Sequence, residues 1–197
     1  MNRLARDGEV RLRVAGRDVP LEVAMDRLVE LNRARWGATG VSFRSDAYVR
    51  FHRLLSRRLH ERGALLLVLL DVGDTTVAAR YDFLWAGKIW CFQGGWLPAY
   101  QRLHVGTILT GKVLEWGIEN GYREYDFLKG DRPYKRRWAS EQRVPVDLST
   151  YARSPKARWW KTVQRTEGAL RRHLPRFVRE AWTRRRSADS ARGSDPD

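Results

Sequence analysis

The segment Ala64 to Asp71 reads ALLLVLLD, an almost unbroken apolar run closed off by Gly63 on one side and Val72-Gly73-Asp74 on the other. It is far too short to span a bilayer. A continuous rather than alternating apolar pattern suits a strand that is covered on both faces. The rest of the chain must therefore supply an apolar layer above this strand and another below it.

Candidates for those layers flank it. Glu9 to Gly16 alternates Val10, Leu12 and Val14 with Arg11 and Arg13, as a half-buried strand does. Leu21 to Trp36 repeats apolar residues at helical spacing. So does Asp46 to Arg62, with Ser45 placed to cap it and Tyr48, Phe51, Leu54, Leu55 and Leu59 on one side. Beyond the apolar run come a second strand of the group, Thr75 to Trp85, and a third, Ile89 to Gln93, joined by the turn Ala86-Gly87-Lys88. Gly94 to Pro98 reads as loop, and Arg143 to Leu148 as a last strand with Val144 and Val146 inward. The order predicts a mixed α/β sheet, mainly antiparallel, flanked by helices.

Between these lies His104 to Trp138, the stretch in which chemistry is most plainly written. Gly106 opens a helical run carrying Ile108, Leu109, Val113, Leu114, Trp116 and Ile118, and Gly121 stands where an αL residue closes a helix. A strand, Arg123 to Leu128, follows, with Tyr125 and Phe127 on one face and Asp126 on the other. Then come Gly130-Asp131 and the cluster Tyr134, Lys135, Arg136, Arg137 and Trp138. Helix start, strand and polar loop in that order suit an anion resting on free helix N–H groups. A glycine-capped core helix with an ordinary basic loop fits the same spacing.

The net charge of +15 is unevenly placed, with twelve Lys/Arg against two acids in residues 152–186. The organisation expected is a globular domain over 1–151, a basic amphipathic helical extension over 152–186, split at Pro175, and a disordered tail over 187–197. With Trp159, Trp160 and Trp182 on the extension, its two readings are an anionic membrane surface and packing on the sheet. One cysteine, Cys91, excludes an internal disulfide framework and a Cys-rich zinc site, and it reads as a buried thiol. Four histidines without paired spacing give no metal set, and no G-x-S-x-G appears. The first residues lack a signal-type apolar run, so a cytoplasmic protein is expected, its tail peripheral to the inner face of the membrane.

Several of these residues resemble the GNAT acyltransferase superfamily over roughly Leu21 to Leu148. They are Ala79-Arg80-Tyr81, Gln93-Gly94-Gly95, Gly106 with Leu109, Gly121, and above all Tyr125-Asp126-Phe127-Leu128-Lys129-Gly130-Asp131 with Tyr134-Lys135 and Trp138. The resemblance is nearer to the CelD-type branch of cellulose and polysaccharide synthesis, related to the Fem-type aminoacyl transferases. It departs in two ways: Gln101 to Thr107 keeps only one glycine of the usual pyrophosphate loop, and the branch resembles tandem pairs where this chain has one copy.

The resemblance implies direct acyl transfer from acetyl-CoA or another acyl-CoA to a sugar, polysaccharide precursor or amine. A charged tRNA as donor, a non-catalytic binding module, and a second GNAT-like half or homodimer are the alternatives it leaves. His104, Val105, Gly106 and Thr107 would hold the cofactor. Asp126 would take a proton, with Tyr134 and Lys135 polarising the acyl group or binding phosphate. Tyr81, Gln93 and Asp131 would line the substrate site. Each has a plainer reading: an ion-paired Asp126, a turn at Asp131, a solvated basic loop, and Tyr81 as core.

Overall fold

The computed structural model describes residue 4, residues 8–37, 42–130 and 133–144, and beyond these residues 146, 148, 150, 152–155, 159, 162, 163 and 166. The chain divides into two compact units, Met1–Gln142 and Arg143–Asp197. The first holds all the named elements: β1 (Val10–Val14), α1 (Leu21–Trp36), α2 (Asp46–Glu61), β2 (Leu65–Val72), β3 (Thr75–Trp85), β4 (Lys88–Trp96), α3 (Val105–Glu119), β5 (Glu124–Asp126) and the short α4 (Pro133–Arg136). In the second unit the described residues of 155–166 are helical. The expected tail over 187–197 and most of the extension lie outside the described residues.

The five strands form one sheet in sequence order, β1-β2-β3-β4-β5. The first three pairings are antiparallel and the last, β4 with β5, is parallel. The fold is thus the mixed, mainly antiparallel α/β sheet that the element order predicts. β2 is buried on both faces. Leu67 and Leu69 join Ala24, Met25, Leu28 and Leu31 of α1 and Val49 of α2 in one core. Leu66, Val68 and Leu70 join Val105, Leu109 and Val113 of α3 in another. Each leucine so enclosed contributes on the order of 1.5–3 kcal/mol, which explains why an unbroken apolar run is needed at this one strand.

Four details differ from the sequence reading. α2 is capped by Ser45 as expected, its Oγ accepting the Tyr48 N–H at 3.2 Å. Its buried residues are Val49, His52 and Ser56, however, while Phe51 and Leu54 are more than half exposed. His52 draws the helix round because it sits among the rings of Phe43, Tyr48, Tyr81 and Phe92, and burial lowers its pKa. Second, β4 does not end at Gln93 but runs through Gly94 and Gly95 to Trp96. A side chain at Gly95 would lie 2.3 Å from Asn32 N and from Leu31 C, so glycine there lets α1 lie directly on the strand. Third, β5 stops at Asp126, because Leu128 turns into the left-handed region at φ 57°. Fourth, the described residues of 143–148 form no strand, and Val144, Val146 and Leu148 lie exposed, with no apolar layer over them.

Candidate functional site

The site begins with an irregularity between β3 and β4. Tyr81 pairs with Gln93 but Asp82 pairs with Cys91, so Phe92 is an extra residue, a β-bulge. The Asp82 carboxylate accepts the displaced Phe92 N–H at 3.3 Å. The bulge resets which way β4 side chains point. Phe92 packs into the α1/α2 core and Gln93 meets Asn32 and Ser42 on that same side. Cys91 turns to the other face, where it meets Arg80, and a Cβ at Gly94 would also lie against the Arg80 side chain.

β4 also outlasts its neighbour. Its parallel pairing with β5 runs only from Lys88↔Glu124 to Trp90↔Asp126, whereas β4 continues to Trp96. From Cys91 to Trp96 no strand lies along its β5 side among the described residues. The result is a gap in the sheet, closed at Trp90 and Asp126 and open towards Trp96.

At the open end stands the start of α3. His104 precedes it in the αL conformation at φ 54°, and its carbonyl accepts the N–H groups of both Thr107 and Ile108. The amides of Val105 and Gly106 come before the first intrahelical bond. No acidic residue lies in the first turn. His104, Arg102, Gln101, Pro98 and Ala99 line an open depression of about 570 Å³ beside it. Gly106 is glycine for a packing reason as well, since a Cβ there would come within 3.0 Å of the Trp96 ring. Trp96 in turn carries the Arg35 guanidinium 3.3 Å from its ring centroid. These groups fit a phosphate-bearing cofactor: two first-turn amides, the helix dipole and Arg102 all favour an anion. Val105 is fully buried and offers only its backbone, while Thr107 is exposed.

At the closed end is a buried polar cluster that the sequence reading left without a role. Arg80 and Asp82, two apart on β3, share a face. Arg80 Nε lies 3.2 Å from the Asp82 carboxylate, which is fully buried. Tyr125 of β5 donates its hydroxyl to Asp82 Oδ2 at 3.0 Å and accepts from Arg80 Nε at 3.0 Å and Nη2 at 2.6 Å. Nη2 is also 2.6 Å from Cys91 Sγ. Burial pushes the Asp82 carboxyl up to about 6, against the pull of Arg80, Tyr125 and the Phe92 amide. Burial likewise raises the Tyr125 hydroxyl and the Cys91 thiol. Burial opposes the charge on Arg80, but Asp82, Tyr125 and Cys91 together outweigh it and the guanidinium pKa is raised. An Arg and an Asp flanking Tyr81 in an otherwise apolar strand were the visible signal.

The predicted residues fall around this gap unevenly. Asp126 is the last paired residue of β5, and strand alternation puts it on the face opposite Tyr125. Its Oδ1 accepts the Leu128 N–H at 2.7 Å. Lys135 Nζ donates to the carbonyls of Phe127, Leu128 and Lys129 at 2.7, 3.2 and 3.1 Å. Tyr134 meets Phe127 edge-on at 6.3 Å between ring centroids. Gln93 donates to Ser42 Oγ at 2.9 Å. Tyr81 is completely buried, its hydroxyl 3.5 Å from His52 Nδ1. Asp131 lies outside the described residues. Among the described residues no group of His, Cys, Asp and Glu is placed to hold a metal, and no helix is long and apolar enough to cross a membrane.

Comparison with known proteins gives the geometry a context. The family described as "Acetyltransferase (GNAT) domain" matches residues 1–136. No curated protein matches the chain by sequence. Among solved structures, the AAC(6')-Iy complex with the bisubstrate analogue CoA-S-monomethyl-acetylneamine is similar at TM-score 0.53 and 12% identity, covering 73% of this chain and 99% of that one. The aminoglycoside acetyltransferase HMB0005 from an uncultured soil metagenomic sample is similar at TM-score 0.52 and 17% identity, covering 72% and 99%. The aminoglycoside antibiotic 6'-N-acetyltransferase AAC(6')-Ih from Acinetobacter baumannii is similar at TM-score 0.51 and 14% identity, covering 73% and 100%. At such identities these likenesses show the fold alone.

Proposed function

The chain belongs to the GNAT acetyltransferase domain family, and on that premise we propose that it moves an acetyl group from acetyl-CoA to an amine or hydroxyl of a sugar-based acceptor. The observation that carries this reading is the unpaired edge of β4 from Cys91 to Trp96. It joins an anion-ready helix start at one end to the Asp126 carboxylate at the other.

Acetyl-CoA supplies an acyl group activated as a thioester. The amides of Val105 and Gly106, with Arg102 and His104 beside them, would hold its pyrophosphate. Backbone groups of this edge, other than the Phe92 N–H held by Asp82 and the Gly94 carbonyl that accepts from Asn32 Nδ2 at 3.1 Å, would pair with an extended amide-bearing chain as a further strand does. Asp126 would accept the proton that the acceptor's nitrogen or oxygen loses on bonding to the acyl carbon. Its position is held by Leu128 N–H, and the loop that bears it by the three carbonyl bonds of Lys135. We therefore assign Lys135 to positioning. On the α1 side, the half-buried Gln93 and Ser42 offer amide and hydroxyl groups to a polar acceptor, with the buried Asn32 behind Gln93, and the acceptors named for the structural neighbours, aminoglycosides, are amino sugars. A polysaccharide precursor of the CelD-type branch has the same chemistry.

The test is a thermal shift with acetyl-CoA followed by thiol release against a panel of amino sugars. A melting temperature that rises with ligand concentration, and thiol release that depends on an amino sugar, are expected. No shift at millimolar acetyl-CoA, with binding of aminoacylated tRNA instead, would replace this reading by the Fem-type one.

A further inference from the structure

Resting on the acyl-CoA reading, we infer that the Arg80–Asp82–Tyr125 bridge, with Cys91, is a size stop that limits the transferred group to a short acyl chain. The gap runs along one edge of β4. From Trp96, beside the helix start, to Trp90, where β5 closes it, is about 20 Å at roughly 3.3 Å per residue. A donor whose phosphates lie at α3 and whose arm follows this edge brings its acyl end to the closed end. There the α3-side face presents Tyr125, Cys91 and Arg80.

This end is solidly built. Tyr125 belongs to β5 and its two partners to β3, so the bridge passes across β4 on the α3 side, with Cys91 drawn in by Arg80 Nη2. The Asp82 side chain is fully buried and that of Arg80 only 11% exposed. Every oxygen and nitrogen named in the bridge is satisfied within it, apart from the Asp82 Oδ1 bond to Phe92 N–H. An acetyl methyl needs no space beyond this wall. A longer chain must push Tyr125 off two partners at once or displace Cys91 from beneath the guanidinium. Both cost bonds to buried charged groups, which are the ones least readily given up. The mutual support of the three side chains makes the stop rigid.

The experiment measures direct binding of CoA, acetyl-CoA and butyryl-CoA by calorimetry to the full chain and to two variants. The wild type is expected to bind acetyl-CoA at least about a hundredfold more tightly than butyryl-CoA, two methylenes apart. Tyr125→Ala should cut that ratio about tenfold or more while leaving affinity for free CoA within about twofold. Cys91→Ala, which leaves the Tyr125 bridge in place and guards against misfolding of the first variant, should cut it about threefold. A wild type that binds both esters equally would overturn the proposal. So would variants that weaken both esters by one common factor, the behaviour of a merely structural cluster. A wild type that binds no CoA ester at all would be a different failure, removing the donor reading and the stop with it.

Discussion

The hydroxyl of Tyr125 and the carboxylate of Asp82 lie 3.0 Å apart although their strands are not neighbours, β4 running between them. Asp82 is held at the junction of three strands: by Arg80 within β3, by the Phe92 amide of the β4 bulge, and by Tyr125 of β5. Its titration should therefore report on the whole junction. The folded pKa, about 6, is raised above the ordinary value of 3.8, burial being the main cause. The folded state then binds the proton more tightly than the unfolded state, so this contribution to stability is fully present below about pH 4 and is lost as pH rises through about 6. The slope reaches at most about 1.4 kcal/mol per pH unit. Urea midpoints of the wild type and Asp82→Asn at pH 4.5 and 6.5 test this. The stability difference should shift against the wild type as pH rises, and a constant difference would refute it.

Asp126→Asn should lower kcat by about a hundredfold or more, the usual weight of a general base. An asparagine Oδ1 still accepts from Leu128 N–H, so the melting temperature should move by only a few degrees. If kcat survives and stability falls, the carboxylate serves the turn and nothing else.

Lys135→Met deprives three carbonyls of their common donor. The loop 127–130 should exchange its amide hydrogens at least tenfold faster, and kcat should fall through the misplacement of Asp126. Unchanged exchange at Leu128 would show that the ammonium is not what holds the loop.

Gly95→Ala places a methyl 2.3 Å from the α1 backbone at Leu31 and Asn32. Neither backbone can yield without moving the helix, so a loss of about 2 kcal/mol or more is expected, at the upper end of overpacking. Denaturant unfolding measures it. A loss below about 0.5 kcal/mol would mean that α1 sits less tightly on β4 than the structure shows.

Gly106→Ala separates two roles of one glycine. The new methyl meets the Trp96 ring at 3.0 Å, so the single variant should weaken acetyl-CoA binding by displacing the first turn of α3. Shrinking the ring with Trp96→Leu in the same chain should restore part of that affinity. No rescue would show that the Trp96 ring is not what excludes a side chain at this position.

How legible this was in the sequence depended on the range of the interactions concerned. β2 declared itself because from Leu65 to Leu70 both of its faces are covered by apolar layers, its one polar residue, Asp71, being ion-paired with Arg13. α1, the Ser45 cap and Gly121 were local, and each is present where its pattern stands. The stripe of α2 misled because Phe51 and Leu54 are apolar whether or not anything covers them, while the buried His52 is held by rings from β3 and β4. The bulge at Phe92 and the crossing from Tyr125 to Asp82 join residues more than forty apart in some bonds, such as the one between Tyr125 and Asp82 themselves. No periodicity records such a link. Gly94 and Gly95 read as loop because their reasons are not local: Gly95 lies against α1, and Gly94 against Ala79 and Arg80 of β3.

An unpaired strand edge invites another chain to add itself, and most proteins must guard against that. The edge of β4 from Cys91 to Trp96 carries its own safeguards. The bulge at Phe92 throws a partner's ladder out of register, two consecutive glycines give it no side chains to grip, and Arg35 stacked on Trp96 sets a charge at its end. The irregularities that make room for a ligand thus also keep copies of the molecule from zipping together while that room stands empty.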